Sequence, residues 1–539
     1  MSKFVITYDI GTTGIKTCLI EIDKEIKILA SATEGYGLYV DEETGVKGGA
    51  EQDADEWWSA MCITTKTVFE KAPTVKKEQI EGISFCSAMQ GLVLVDKEGN
   101  CIRRPMTYMD QRATEELKAG IAHGFQIAGA DAAKFLKCLK HTRAAPLSVK
   151  DPVWKYKWVE AHEPENFKKT YKWLDIKEYL ILRASGEFVM TTDSAFATLI
   201  YDTRKGHEGW CKPLCDMFNV NMEHLPKIMK CTDKVGEINE KAAAELGLVP
   251  GTAVYGGGGD ASLIGVGAGA VEIGDTHIYS GTSGWVGTVV DKQVVDATAM
   301  MASIVGADPT SFNYFGELET SNKCVSWVKD HLALDEIGIY LEHHSNPADS
   351  VETMEINLYD YLEDVIDRAE PGAGGVVFTP WLHGNRCPFE DPNAAGMFFN
   401  IKLETGKTEL IRSVVEGICF HMRWMLEKQD KKKEVNIKDT VRFCGGGALG
   451  ATTCQILADI LQRNIEVVDS PQNIGAVGAA ACIAVGMGII PTMKDVKSLI
   501  PAKITYKPNP ANKAVYDRNF EVFQNLYKCN KKNFAILNG

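Results

Sequence analysis

Two turns far apart in the chain carry almost the same residues, and their repetition limits the fold more than any other feature. Near the N-terminus runs Tyr8-Asp9-Ile10-Gly11-Thr12-Thr13-Gly14, and past the middle runs Tyr279-Ser280-Gly281-Thr282-Ser283-Gly284. Each follows an apolar, β-rich stretch (Phe4 to Thr7; His277 to Tyr279) and leads into another (Ile15 to Ile22; Trp285 to Val290). Each therefore reads as a β-hairpin tip. Gly and small hydroxyl residues at such a tip let backbone N–H groups and Thr or Ser hydroxyls approach an anion with no bulky Cβ in the way. One tip of this kind is an ordinary turn. Two in corresponding halves predict a duplicated fold closing on one polyphosphate.

The segments around each tip read alike. The first half opens with strand-like Phe4 to Tyr8, Ile15 to Ile22 and Ile26 to Ala32, then a helix from about Asp53 to Glu70 whose acidic start suits its N-terminus. A strand-like run, Ile83 to Val95, ends at the turn Asp96-Lys97-Glu98-Gly99. After the second hairpin come a strand (Val376 to Thr379), a long helix (Lys407 to Lys428) and a strand (Val441 to Cys444). A helix (Ala451 to Leu461), a strand (Ile465 to Val468) and a final small-residue helix complete the second half. Both halves read as α/β units with a mixed sheet. A chain of 539 residues is too long for one core, and the boundary falls just after the Gly-rich stretch 256–269, giving domains 1–270 and 271–539. Within the longest uncharged run, the stretch Ile474 to Met493 is rich in Ala and Gly and closes with Gly488 and Pro491. It reads as a tightly packed internal helix rather than a membrane span.

Charge and cysteine usage narrow the partners. A net charge of −14 argues against nucleic acid, which favours a basic face. It leaves ATP open, whose charge backbone amides and Mg²⁺ can meet locally. The 15 cysteines are scattered, several inside apolar runs (Cys18, Cys86, Cys419, Cys482), as buried thiols in a reducing cytoplasm would be. The chain begins directly with a strand, leaving no room for a signal peptide. His207, Cys211 and Cys215 have a loose ligand-like spacing, but without a CxxC or an evident fourth ligand they do not make a zinc site.

Three further places could do chemistry. In Val254-Tyr-Gly-Gly-Gly-Gly-Asp260-Ala-Ser-Leu-Ile-Gly265 a lone carboxylate stands between a strand and a helix. Asp260 there either caps the helix or acts as a general base on an attacking hydroxyl; four glycines exceed what capping needs and admit a ligand closely. Asp9, at the end of the first strand, either caps its turn or holds Mg²⁺ beside phosphates, directly or through water. Lys16, on the strand leaving the tip, is within reach of phosphate oxygens or simply solvated. Cys444-Gly445-Gly446-Gly447-Ala448 runs from a strand end towards a helix N-terminus, where bare backbone can lie against a planar base or a phosphate. It is not the spaced dinucleotide fingerprint, and no GxxxxGK[ST] element is present.

The order of hairpin, Gly-rich Asp, second hairpin and GGGA resembles the sugar-kinase, actin and heat-shock-chaperone superfamily. Within it the chain is similar over essentially its full length to the FGGY carbohydrate kinases. The supporting segments are Glu51-Gln52-Asp53 with Trp57-Trp58, Met109-Asp110-Gln111-Arg112, Leu248-Val-Pro-Gly-Thr252, Phe378 to Pro388 and Gln455-Ile-Leu-Ala-Asp459. The run from Gly396 through Arg412 to Val415-Glu416-Gly417 is similar to the family's C-terminal signature.

The resemblance implies two ribonuclease-H-like (actin-like ATPase) domains flanking a deep catalytic cleft, ATP and Mg²⁺ as cofactors, and a small sugar as substrate. It implies Asp260 as catalytic base and Asp9 as the Mg²⁺-associated carboxylate. Gly11, Thr12, Thr13, Lys16, Gly281, Thr282 and Ser283 become phosphate contacts, and Gly446, Gly447 and Ala448 the adenosine-side wall. Met89, Gln90, Asp110 and Arg112 fall where the family contacts or frames its sugar. It also allows a homodimer. The xylulokinase branch is the most similar, with departures near the substrate: Gln90 for the usual His, Ala261 for Asn, and Asn385 within the usual Gly-Glu-Arg. Ala395 and Asn400 are further changes. They leave the chemistry intact and bear on which ketose or polyol is taken.

Overall fold

The alternating apolar segments at the N-terminus form strands β1 (Lys3–Ile10), β2 (Gly14–Ile22) and β3 (Ile26–Gly35), a meander in which each neighbour runs antiparallel. The computed structural model describes residues 2–122, 124–127, 129–332, 361 and 363–539. By its contacts the chain divides into two units: Met1–Gly267 with Ile304–Ser311 and Gly475–Leu499, and Ala268–Ser303 with Phe312–Ile474 and Ile500–Gly539.

In the first unit β1 pairs in parallel with β4 (Ile80–Ser87) on its other side. Strands β5 (Lys234–Glu237) and β6 (Ala253–Tyr255) extend the sheet to the order β5-β6-β4-β1-β2-β3, and the short β7 (Gly258–Gly259) pairs with the end of β4. Helix α1 (Ala54–Lys71) covers the β2 and β3 side; Asp53 caps it by accepting from Asp55 N–H at 2.9 Å. Trp57, Met61 and Val68 of α1 are buried, and burying each such side chain stabilises by about 1.5–3 kcal/mol. Two hydroxyl pairs pin α1 to the sheet: Thr17 to Thr64 at 2.6 Å and Tyr8 to Thr65 at 2.9 Å. Helices α2 (Pro152–His162), α3 (Ile176–Ser185) and α4 (Asp260–Gly267) complete what the site needs.

The second unit repeats the plan. Strands β8 (Thr276–Ser280), β9 (Gly284–Val290), β10 (Phe312–Leu318), β11 (Thr440–Cys444), β12 (Asn464–Val468) and β13 (Ala502–Tyr506) lie in the order β10-β9-β8-β11-β12-β13. Strand for strand, the directions match the first sheet. Two antiparallel pairs lead to a parallel pair, then another parallel pair, then an antiparallel edge. The duplication expected from the two tips is thus a duplication of whole sheets. The helices α5 (Lys407–Asp430) and α6 (Ala451–Leu461) pack on this sheet.

The run read as one strand from Ile83 to Val95 is two. The ladder stops at Ser87, and Val93–Val95 pairs antiparallel with Lys172–Leu174 in a separate sheet. The chain leaves β4 because Gln90 takes a left-handed backbone, φ +64°. The strand expected at Val376 to Thr379 forms as Val377–Thr379, paired with Met397–Phe399 apart from the main sheet.

The small-residue run becomes α7 (Ile474–Gly486), with Ala476 and every residue from Ala479 to Ala484 fully buried. A Cβ on Gly478 would stand 2.3 Å from the Leu263 carbonyl of α4, so the run's glycines serve close helix packing. Among the described residues no helix is long and apolar enough to cross a membrane.

Candidate active site

Register places the first unit's carboxylates. Asp9 of β1 and Gly258 of β7 both lie abreast of Cys86, one on each side of β4. Adjacent strands are about 4.8 Å apart, so the chains carrying Asp9 and Asp260 emerge roughly 10 Å from one another at the same sheet end. Burial, with the charges of Asp9, Asp260 and Asp193 added, pushes the Cys86 thiol well above its ordinary value.

Asp260 opens α4, half-buried, and its Oδ1 accepts from Ala261 N–H at 2.7 Å. The glycines before it are required by the protein's own packing. A Cβ at Gly257 would lie 2.0 Å from the Phe85 carbonyl, at Gly258 2.9 Å from Asp193 Oδ2, and at Gly259 2.1 Å from Met89 Sδ. Protein atoms take up the space on the side where each Cβ would project. The glycines let this strand end settle against β4 and Met89, which fixes where Asp260 projects.

Asp9 sits opposite Lys16 in the β1–β2 register. Burial raises its pKa, and Lys16 and the Cys86 thiol oppose without cancelling it, so the protein supplies too little positive charge to offset the burial of this carboxylate. That suits a hard cation held with water or phosphate oxygens, since one carboxylate is a typical Mg²⁺ donor set. Gly475 of α7 packs directly on it: a Cβ there would lie 2.4 Å from Asp9 Oδ2.

Each tip is braced by its own unit. At the first, Gly11 N–H bonds to Gly14 O at 2.9 Å, Tyr36 OH to Gly11 O at 2.5 Å, and Gln52 Nε2 to Thr12 O at 2.6 Å. The Thr12 hydroxyl pairs with Tyr108 OH at 3.0 Å, while Thr13 stands exposed. At the second, Gly281 N–H bonds to Ser283 O at 2.9 Å, and Ser321 and Asn322 N–H groups bond to Thr282 O and Gly281 O. Thr282 is exposed. Beside this tip, at the end of β11, Gly445 takes φ +88° and Gly446–Leu449 form a 3₁₀ turn before α6. Ser280, Asn322, Val325, Val415, Gly447 and Leu457 line an apolar depression here. Gly446 is half-buried, whereas Ala448 is buried in the second unit's core. Apolar side chains thus back the turn that carries Gly446 and Gly447.

The residues expected to meet or frame a sugar lie in the first unit. Met89 and Gln90 are half-buried. Asp110 and Arg112 are buried and spend their polar atoms on one another and on neighbours. Arg112 Nε bonds to both Asp110 oxygens, its NH2 reaches Glu51 at 2.7 Å, and Asp110 accepts from Ala50 N–H at 2.8 Å. Arg103 joins the network through Glu51 and Glu163, and Trp158 lies under both guanidinium groups. Asp110 and Arg112 therefore frame this wall.

Among the described residues His207, Cys211 and Cys215 form no three-ligand cluster. The Cys211 thiol lies with His141 and Asp202, the three ligand atoms within 4.8 Å of one another. Arg204 and His141 bond to Asp202 and, against the upward push of burial, hold its carboxyl well below the usual range. That carboxylate is already neutralised.

Sequence reasoning missed four buried groups behind the site: Lys155, Asp175, Lys177 and Asp193. For Lys155 and Asp175 the one signal is a charge set inside an apolar run, Trp154-Lys155-Tyr156 and Leu174-Asp175-Ile176.

The N-terminal domain of the FGGY family of carbohydrate kinases matches residues 4–267, and the C-terminal domain of that family matches residues 277–487. A xylulose kinase of Bacillus subtilis (strain 168) is 26% identical over 98% of this chain and 97% of its own. Among solved structures, a ligand-bound xylulose kinase from Lactobacillus acidophilus is 24% identical with a TM-score of 0.82, covering 99% of this chain and 100% of that one. A gluconate kinase from the same organism is 24% identical with a TM-score of 0.80, covering both chains fully.

Proposed function

Given that the chain belongs to the FGGY family of carbohydrate kinases, we propose that it transfers the γ-phosphoryl group of ATP to a hydroxyl of a small neutral ketose, D-xylulose in the first instance, with Asp260 as general base. The observation that carries this reading is the register at the first sheet's end, where Asp9 and the chain leading to Asp260 stand on either side of Cys86.

In this reading Asp260 takes the proton of the sugar hydroxyl as its oxygen forms a bond to the γ-phosphorus; the bond from that phosphorus to the bridging oxygen breaks, and ADP leaves. The Ala261 N–H on Oδ1 fixes the carboxylate's rotation, so little motion is left to organise before proton transfer. Phosphate contacts are assigned to Gly11, Thr12, Thr13 and Lys16 and to Gly281, Thr282 and Ser283, and the adenosine side to Gly446, Gly447 and Ala448. Asp9 is assigned to Mg²⁺, which when bound neutralises phosphate charge.

The charge of the sugar wall favours a neutral substrate over a sugar acid. Arg103 and Arg112 face three carboxylates, Glu51, Asp110 and Glu163. Their side chains are 8% and 1% exposed, so neither offers an uncompensated cation to a substrate carboxylate. A coupled ADP-release screen across D-xylulose, D-ribulose, other ketoses, glycerol and gluconate tests the reading. Sugar-dependent ADP release with a neutral ketose supports it, and release with gluconate alone overturns the substrate class.

A further inference from the structure

Gln90 keeps a left-handed backbone at φ +64°, which for a residue with a Cβ costs about 1–2 kcal/mol and persists only where the surroundings fix it. Two buried charged side chains do so. Lys155 of α2 donates from Nζ to the carbonyl of Gln90 at 2.8 Å and to that of Thr107 at 2.6 Å. Asp175, which caps α3 by accepting from Ile176 N–H at 2.8 Å, accepts from Gly91 N–H at 2.9 Å through the same oxygen. Gly91 leaves that oxygen its room, since a Cβ there would stand 2.6 Å from it. The turn is thus held from both sides, at the carbonyl of Gln90 and at the next N–H.

The second carbonyl extends the clamp. Thr107 O also accepts from Asp110 N–H at 3.2 Å, so the Lys155 ammonium ties the Met89–Gln90 turn to the segment carrying Asp110 and Arg112. Lys155 is wholly buried and Asp175 is 4% exposed. Burial pushes Lys155 down to about 8 and Asp175 up to about 7, the strain expected of charges withdrawn from water. An apolar side chain would fill either space at less cost, and it would leave the turn undetermined.

We propose that Lys155 and Asp175 are positioning residues for sugar recognition, locking the Met89–Gln90 turn and the Thr107–Arg112 segment in one relative geometry and so setting which hydroxyl pattern is accepted. This rests on the kinase reading of the site.

Steady-state kinetics of Lys155→Met, Asp175→Ala and Asp175→Asn, with the sugar turned over fastest in the screen, test it. Lys155→Met and Asp175→Ala should raise the sugar KM by roughly ten-fold or more while the ATP KM stays within about two-fold, and Asp175→Asn, which keeps an acceptor, should restore most of the loss. A folded Lys155→Met with unchanged sugar KM, or with sugar and ATP KM rising together, overturns the proposal. If Lys155→Met does not fold, Asp175→Ala decides by the same two values. Wild type and Asp260→Asn assayed alongside separate the two readings: no sugar-dependent ADP release by the wild type defeats the kinase reading itself, whereas wild-type release that is lost in Asp260→Asn, beside a normal Lys155→Met, defeats only the clamp.

Discussion

Asp193 Oδ2 accepts a hydrogen bond from the backbone N–H of Gly259 at 2.7 Å, one residue before Asp260. Asp193 is fully buried, with Thr191 Oγ1 on its other oxygen at 2.5 Å. Burial alone would raise its pKa, but Lys177, Thr191 and Gly259 together hold it below the usual value. A buried Lys177–Glu178 ion pair, with Asp193 beside it, thus stands behind the base.

Asp193→Ala should cut kcat by more than about ten-fold, because the strand end carrying Asp260 loses its anchor. It should also destabilise the fold by about 1–3 kcal/mol, since the Gly259 N–H and Thr191 hydroxyl are left buried without their acceptor. Because the folded pKa is depressed, this stabilisation is present above the unfolded value of about 4 and is lost as pH falls through the folded one. Denaturant melts of Asp193→Asn and wild type should therefore differ most above that pH and converge below it; a constant difference would sink the argument.

Asp260→Asn should fold and bind nucleotide normally while turnover falls by about 10²-fold or more. Calorimetric ADP titration and single-turnover assays check the two halves of this statement. Near-wild-type turnover would show that Asp260 is not the base.

Thr282→Val should raise the ATP KM and leave the sugar KM unchanged, since Thr282 is exposed at its tip. Thr12→Val should raise both, because the Thr12 hydroxyl also holds Tyr108, next to Met109 and Asp110. Equal effects of the two substitutions on both substrates would remove the distinction between the tips.

Gly475→Ala would set a methyl group 2.4 Å from Asp9 Oδ2. The expected result is a marked rise in the Mg²⁺ concentration needed for half-maximal activity, with a fall in Tm of a few degrees, as for overpacking of about 1–3 kcal/mol. An unchanged Mg²⁺ requirement would detach Asp9 from the metal.

Gln90→His together with Ala261→Asn should shift preference towards D-xylulose. Ala261 offers a substrate hydroxyl no side-chain partner, and losing one such partner typically costs about 1–3 kcal/mol of discrimination. If the wild type already prefers D-xylulose strongly over the other sugars in the screen, the two departures are neutral.

Local signals located the two tips, Asp9, Asp260 and the helices α1, α5 and α6, because glycine-rich turns and amphipathic periods are written in adjacent residues. The strand reading from Ile83 to Val95 ran too long for the same reason: Ala88 to Leu92 is as apolar as its flanks, and what bends the chain is Lys155 and Asp175, remote in sequence. The glycines before Asp260 were visible, yet what they admit was not, since Phe85, Met89 and Asp193 reach them only through the fold. Pairings of this range leave no periodicity in a single sequence.

The return of Gly475–Leu499 to the first unit has a consequence for biosynthesis. Domains commonly fold in the order they leave the ribosome, but here the N-terminal unit lacks α7 until nearly the whole chain has been made. Until then Asp9 and the Leu263 face of α4 have no cover, and the part of the chain translated first is among the last to be finished.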